Sequence, residues 1–450
     1  MAYNDAHFDV SHFENYLKNT MEDQIIKEGD TIIFGDVLGD RQSIITLRGK
    51  VRIKLGKAFY PADPIIGCNY GTLFTISADG KSLEKTHHSP SGEWNEDVEV
   101  TRNNAKLLDA NATNQPIQQA EILAMKQAGK HGKEIVDALT NNSATFQTKS
   151  EFAQEKYKKR KAKKYVQLAC AKRPTAASIC DTLFNKQPAR IGYLRPDAVG
   201  ILLHMANVGP GSKILVLENC GGMITGAVAE RMGGYGSVCA TYLEPHAKGI
   251  EIVKSFNFTS GIRGTVSRAP LVGLLKTRRD QLEKEKEQKV AEDEGTEYML
   301  VDSSLQSPPP AAATEAAADT PSGNGEVVVE KNSKDTGSEK PPFSGCILCN
   351  PILHPKIALN ALFPLLSPSA SFAVWSQTLQ PLADTMNELR RTGNAVSLMV
   401  QETWYRKQQV LPKRTHPTMS MNHGGGYLLS GIVTVAGTNV PLAPLPQSSG

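Results

Sequence analysis

No run of apolar residues in this chain of 450 reaches the roughly 18 to 20 needed to cross a bilayer, so no membrane helix is expected. The opening MAYNDAHFDVSHFENY is too polar for a secretory signal, which points to the cytosol or nucleus. A disulfide framework is also missing. The seven cysteines, at 68, 170, 180, 220, 239, 346 and 349, are scattered and odd in number, which fits reduced thiols. Cys346 and Cys349 form C-x-x-C, yet no second Cys/His pair follows at ligand spacing, and alternation on an apolar strand accounts for them. No metal site is expected, and His87 and His88 read as solvated loop residues. Gly-x-Ser-x-Gly, a P-loop lysine and His-Glu-x-x-His are all absent.

What is present is a soluble composition, 40% hydrophobic, long enough for two or three domains with cores. The net charge of +4 conceals an asymmetry. Residues 281–340 hold 14 acids and 6 bases, a charge of −8 that leaves +12 on the rest, so polyanions are plausible partners of the folded part.

Residues 22 to about 100 read as short β segments broken by Gly and Asp, which predicts a small antiparallel barrel or sandwich over 1–100. Helical patterning from about 115 to 165 predicts a helical connector over 101–184. From 185 to 445, strand and helix alternate: RPDAVGILLHMANV, KILVLE, ITGAVAERMG, SVCATYLE, HAKGIEIVKSFNF, then SGCILCNP, IALNALFPLL and SFAVWS. This rhythm predicts a parallel sheet with helices on both faces. It is interrupted at about 278–342 by a charged, then Pro/Ala/Ser/Gly-rich stretch that reads as disordered. GGG followed by YLLSGIVTV suggests a terminal hairpin.

The most informative stretch is KILVLENCGGMITG at 213–226. An apolar strand ends in Glu218 and passes through a glycine turn into a small-residue helix, the frame in which a backbone approaches a ligand at the carboxyl end of a parallel strand. Doubly wound methyltransferases place three glycines here, and this chain has Cys220, Gly222 and Ile224. At the end of the next strand, where a carboxylate holds ribose hydroxyls, stands Tyr242, with Glu244 two places late. Where base-modifying methyltransferases carry Asp or Asn, the chain has Cys349, Asn350 and Pro351, and Asn350 alone leaves a catalytic role open. The scaffold reads as retained and the S-adenosylmethionine pocket as spoiled.

Binding chemistry lies elsewhere. Lys156, Lys158, Lys159, Arg160, Lys161, Lys163 and Lys164 are seven bases in nine residues. On a helix, Lys156, Arg160, Lys163 and Lys164 share one face and Lys158 and Lys161 another, with no face left for a core. Such a helix suits phosphates, with Tyr157 and Tyr165 to stack or pack; a solvated helix and a nuclear-localisation address are the alternatives. Near the C-terminus, Arg406, Lys407, Lys413, Arg414 and His416 mix with Trp404 and Tyr405, which fits an RNA-binding loop, a solvated sheet edge or a subunit interface.

SEFAQEKYKKRKAKKY, the long segment from IGYLRPDAVGILLHMANV through ENCGGMITGAVAERMGG, and QVLPKRTHPTM followed by GGGYLLSG resemble the non-catalytic subunits of eukaryotic tRNA (adenine-58, N1) methyltransferases. The similarity runs from about 22 to 435, with the acidic insertion as its variable part. It implies a degenerate Rossmann-like methyltransferase domain preceded by a barrel-like domain, without catalytic residues, cofactor or metal of its own. It further implies a nuclear complex with a catalytic paralogue, two copies of each, in which the paralogue binds S-adenosylmethionine and this chain holds the tRNA. The seven bases at 156–164 with Arg406, Arg414 and His416 are the candidate contacts. The competing readings are an active S-adenosylmethionine-dependent methyltransferase and an RNA-binding translation initiation factor without a modification role.

Overall fold

Strand β1 (Thr31–Asp36), TIIFGD, is buried on both faces, and its side chains divide by period two: Ile32 and Phe34 enter a small N-terminal core while Ile33 enters a larger one. The computed structural model describes residues 24–297 and 343–439, apart from 38–40, 78, 88–114, 129, 131, 148, 150, 244–248, 411–414 and 420–423. After β1 come β2 (Gln42–Thr46), β3 (Arg52–Leu55), β4 (Ala58–Pro61), β5 (Leu73–Ile76) and β6 (Leu83–Thr86). Three helices follow, α1 (Gln119–Gln127), α2 (Gly132–Asn141) and α3 (Glu151–Tyr165), then β7 (Leu168–Lys172).

The N-terminal sheet is antiparallel, in the order β2-β1-β7-β5-β6, with β3 and β4 paired as a separate ribbon. Its central strand therefore comes from the stretch that the helical pattern assigned to a connector. LACAK is short and lacks β-branched residues, but Ala169 and Ala171 are small enough to sit fully buried over the N-terminal core. The N-terminal unit extends to residue 172 and not to 100.

The second half begins with α4 (Ala176–Lys186), whose Thr175 N-cap forms a capping box with Ser178, and α5 (Pro196–Met205), which has its proline at the first position. Next come β8 (Lys213–Glu218), α6 (Met223–Met232), β9 (Ser237–Tyr242), α7 (Ser260–Gly264), β10 (Val266–Pro270) and α8 (Leu271–Glu297). After residue 342 follow β11 (Phe343–Cys349), α9 (Pro355–Leu362), β12 (Leu366–Ser376), α10 (Gln380–Thr392), β13 (Ala395–Glu402), the short strands β14 (Gln408–Gln409) and β15 (His416–Pro417), and β16 (Tyr427–Val433). The sheet runs β10-β9-β8-β11-β12-β16-β13, parallel from β10 to β12, with β16 antiparallel to both neighbours. This is a doubly wound, Rossmann-like sheet, and its order reverses between β8 and β11, the place where such folds bind ligands.

Alternation sorts the sheet residues into two layers. Ile214, Val216, Ile347 and Cys349 face α4, α5 and α6, while Leu215, Leu217, Cys346 and Leu348 face α9 and α10. The two halves of the C-x-x-C thus point to opposite faces and share no ligand. One expectation is corrected. The stretch from 278 to 297, read as the start of a disordered insertion, continues α8, because Lys, Glu, Arg and Gln are strong helix formers and the buried Arg278 pairs with Glu285 at 3.3 Å. The remainder of the insertion lies outside the described residues. GGG leads into β16, which pairs antiparallel with β13 from Glu402↔Tyr427 to Ala395↔Val433 as a hairpin with a long connection, and which also slots beside β12 because YLLSGIV is apolar enough for a central position.

One side chain ties the halves together. Thr31 donates its N–H to Asn257 Oδ1 at 2.8 Å, and Asn257 Nδ2 donates to the Thr31 carbonyl at 2.6 Å. The amide of Asn257 thereby acts as an extra strand residue beside β1.

Candidate functional site

The loop from β8 into α6 is where a ligand site is expected. Glu218 turns back on the helix start, accepting from the N–H groups of Ile224 at 3.2 Å and Thr225 at 2.8 Å and from the Thr225 hydroxyl. Its carboxylate therefore occupies the anion position of the helix N-terminus. Burial pushes the Glu218 carboxyl above the usual range, opposed by these donors. Gly222 has φ +92°, and a Cβ there would lie 2.8 Å from Ile250, so this position still requires glycine. The other two glycine positions are filled. Cys220 and Ile224 are completely buried in the core that packs this face of the sheet.

The far side of the crevice is also occupied. Cys220 Sγ lies 3.3 Å from Cys349 Sγ at the end of β11, and the Cys220 thiol together with burial drives the Cys349 pKa well up. Trp375 near the end of β12 packs in the same core and donates its indole N–H to the Gly425 carbonyl at 3.1 Å, while Gln377 Nε2 donates to the Gly192 carbonyl at 2.9 Å. Asn350 Oδ1 accepts from the N–H of Ile352 at 2.9 Å and of Leu353 at 3.4 Å, an Asx turn that employs the amide structurally. At the end of β9, Tyr242 carries the Arg268 guanidinium 5.0 Å over its ring in place of a ribose-binding acid. Glu244 lies outside the described residues. Side chains fill the places that S-adenosylmethionine would take, so these residues do not fit that cofactor.

The basic run forms α3, and its exposed bases are Lys156, Lys159, Arg160, Lys163 and Lys164. Lys158 and Lys161 are half-buried, with Lys158 Nζ 5.9 Å from the Phe146 ring and Lys161 Nζ 5.2 Å from the Tyr157 ring. Burial, then Lys164, Arg160 and Lys149, hold the Lys161 pKa below its ordinary value. The helix does have a core face, contrary to the all-round pattern of charge. Ala162 and Tyr165 are buried, and Tyr165 joins Ile122, Ile135, Val136 and Leu139 in a helical core. Lys159 pairs with Glu155 at 3.2 Å.

The C-terminal candidates lie on the other unit. Arg406 sits 4.1 Å from the ring of Trp404, which is 76% exposed, and His416 Nε2 is 3.0 Å from Gln409 Nε2 across the β14–β15 pair. Arg414 and Lys413 lie outside the described residues. Reasoning from sequence missed Arg195. This buried guanidinium makes two bonds to Asp197, at 2.9 and 2.6 Å, approaches Thr403 Oγ1 at 3.5 Å and lies 5.8 Å from the Tyr405 ring, so it anchors the aromatic segment. It missed as well a set of bases near α3, including Lys54 and Lys57. The signal for Lys54 was the exposed, alternating position of bases in RIKL, with Lys57 in the turn that follows.

The sequence profile of the Gcd10p family matches residues 25–299. The chain belongs to the Gcd10p family. The chain is 32% identical over 422 residues to the Dictyostelium discoideum protein named tRNA (adenine(58)-N(1))-methyltransferase non-catalytic subunit trm6, over 90% of this chain and 79% of that one. It is 29% identical over 452 residues to the Mus musculus subunit of the same name, over 92% and 89%. Among solved structures, tRNA (m1A58) methyltransferase TrmI from Aquifex aeolicus superposes with a TM-score of 0.44 at 12% identity, covering 91% of this Gcd10p-family chain and 98% of its own.

Proposed function

We propose that this chain is the non-catalytic subunit of a tRNA (adenine-58, N1) methyltransferase. The observation that carries this reading is the filled crevice at the sheet's switch point, where Cys220, Ile224 and Cys349 are completely buried within a scaffold otherwise suited to a cofactor. The names of the relatives agree with it. A catalytic paralogue binds S-adenosylmethionine and transfers the methyl group, in a nuclear assembly of two copies of each chain. This chain holds the tRNA, with the bases of α3 and with Arg406, Arg414 and His416 as contacts. Division of labour of this kind lets one copy of a duplicated fold give up its ligand pocket and keep its interface and RNA-binding surface.

Three preparations test it: this chain, its catalytic partner, and the co-purified pair, each assayed for tRNA methylation and for binding of S-adenosylmethionine. Activity in the pair only, with no cofactor bound by this chain, is the expected result. Cofactor binding by this chain alone overturns the reading and favours an active enzyme. Normal adenine-58 methylation in cells that lack the chain points instead to an RNA-binding factor outside the modification complex.

A further inference from the structure

An open cleft of about 860 Å³ runs between the N-terminal sheet and the end of α3. Six bases line it: Arg41 just before β2, Lys54 and Lys57 at the β3–β4 turn, Lys163 and Lys164 in the last turn of α3, and Lys186 at the end of α4. Among the described residues that line it, a single acid, Asp36, faces them. All six basic side chains are exposed, so the rim carries its charge without burying it. Folding gathers these like charges from four separate parts of the chain, and their mutual repulsion is a standing cost that an anion removes.

The floor has a different chemistry. Phe34, Leu55, Ile122 and Tyr165 are buried beneath it, Leu123 is half exposed, and the amides of Gln119 and Gln167 lie alongside. Cations at the rim with an apolar floor match an RNA strand whose bases are unpaired. Phosphates displace counterions from the lysines, a base face covers the apolar surface, and amides bond to base edges. The volume falls within the roughly 300 to 1,000 Å³ typical of small-ligand sites, a size for a few nucleotides and not for the side of a duplex. A second cleft of about 290 Å³ shares Lys186 and continues to Arg190, which extends the cationic path toward the Rossmann-like half.

We propose that this cleft holds an unpaired segment of tRNA, with backbone phosphates on Arg41, Lys54, Lys57, Lys163, Lys164 and Lys186 and a base against the exposed Leu123. The assignment rests on the functional reading above and deepens it. The RNA subsite is the groove beside α3, and the outward bases Lys156, Lys159 and Arg160 are secondary.

The test uses the full chain, alone and in the pair, with a labelled tRNA transcript and an unstructured oligouridylate as probes across a salt series. Lys54→Ala/Lys57→Ala/Lys186→Ala removes half of the rim, and Lys27→Ala/Lys85→Ala/Lys276→Ala, exposed bases outside both the cleft and α3, is the control. All six positions are exposed, so the fold should tolerate the changes, and thermal melting checks this. In the cleft triple, the slope of log affinity against log salt should flatten by about 2, tRNA affinity should fall roughly tenfold, and oligouridylate binding should disappear. The control triple should keep oligouridylate binding. Unchanged slope and oligouridylate affinity in the cleft triple overturn the proposal and leave the functional reading standing. Oligouridylate binding that depends on the cleft, in a chain whose loss leaves tRNA methylation normal, keeps the cleft and removes the functional reading.

Discussion

Glu218 illustrates how one side chain changes its purpose when a pocket closes. In an open doubly wound site, an acid at the end of this strand sits beside a ligand; here it is spent on the N–H groups of Ile224 and Thr225. Because burial raises its folded pKa above the unfolded one, the folded state holds the extra proton between those two values, and stability falls as pH rises through that window. Urea titrations from about pH 4 to pH 7 should show this decline in the native chain and a flatter profile in Glu218→Gln, with the difference isolating the one carboxyl from all others. The native chain becoming steadily more stable relative to Glu218→Gln over that range would contradict the burial argument. Departures of this kind were legible in the sequence, since Cys220, Ile224 and Tyr242 stand at fixed offsets from an apolar strand. What filled the space was not. Trp375 and Gly425 reach the crevice from far along the chain, and no spacing rule links them to residue 220.

At the scale of elements, legibility followed burial. β8, the middles of β9 and β11 and the FAVW end of β12 are short apolar runs, the pattern of strands covered on both faces, and they were readable as such. β7 was not, because a five-residue segment of Ala and Cys has no periodic signal and directly follows the most charged helix of the chain. The cationic cleft escaped for a related reason: only Lys163 and Lys164 belong to a run, while Arg41, Lys54, Lys57 and Lys186 are single bases that folding gathers. A consequence concerns independent folding. Residues 1–100 supply β1 and β5 but not the strand that lies between them, so that fragment should remain unfolded by circular dichroism and amide dispersion. A fragment of residues 24–186 contains β7 and the helix that follows it, and should show a cooperative thermal transition. A folded 1–100 fragment would mean that β1 and β5 can close without β7.

At the scale of the molecule, the two halves share a core as well as a boundary, since Ile33 of the N-terminal sheet packs with residues of the Rossmann-like half. The Asn257 amide adds two bonds to the backbone of Thr31. Asn257→Ala should lower the stability of the whole chain by about 1 to 2 kcal/mol and speed hydrogen exchange at the Thr31 amide. If melting and exchange both stay at native values, the clamp contributes nothing to holding the halves together.

The strand orders also set a timetable for synthesis. The N-terminal sheet has a vacancy between β1 and β5 until residues 168–172 leave the ribosome, and β13 has no sheet partner until residues 427–433 follow it. Each half is thus completed by a strand made after its neighbours, and the edges of β1, β5, β12 and β13 stand open for the interval. A nascent chain with four such edges is a natural client for chaperones, and slowing translation between residues 402 and 427 lengthens its exposure.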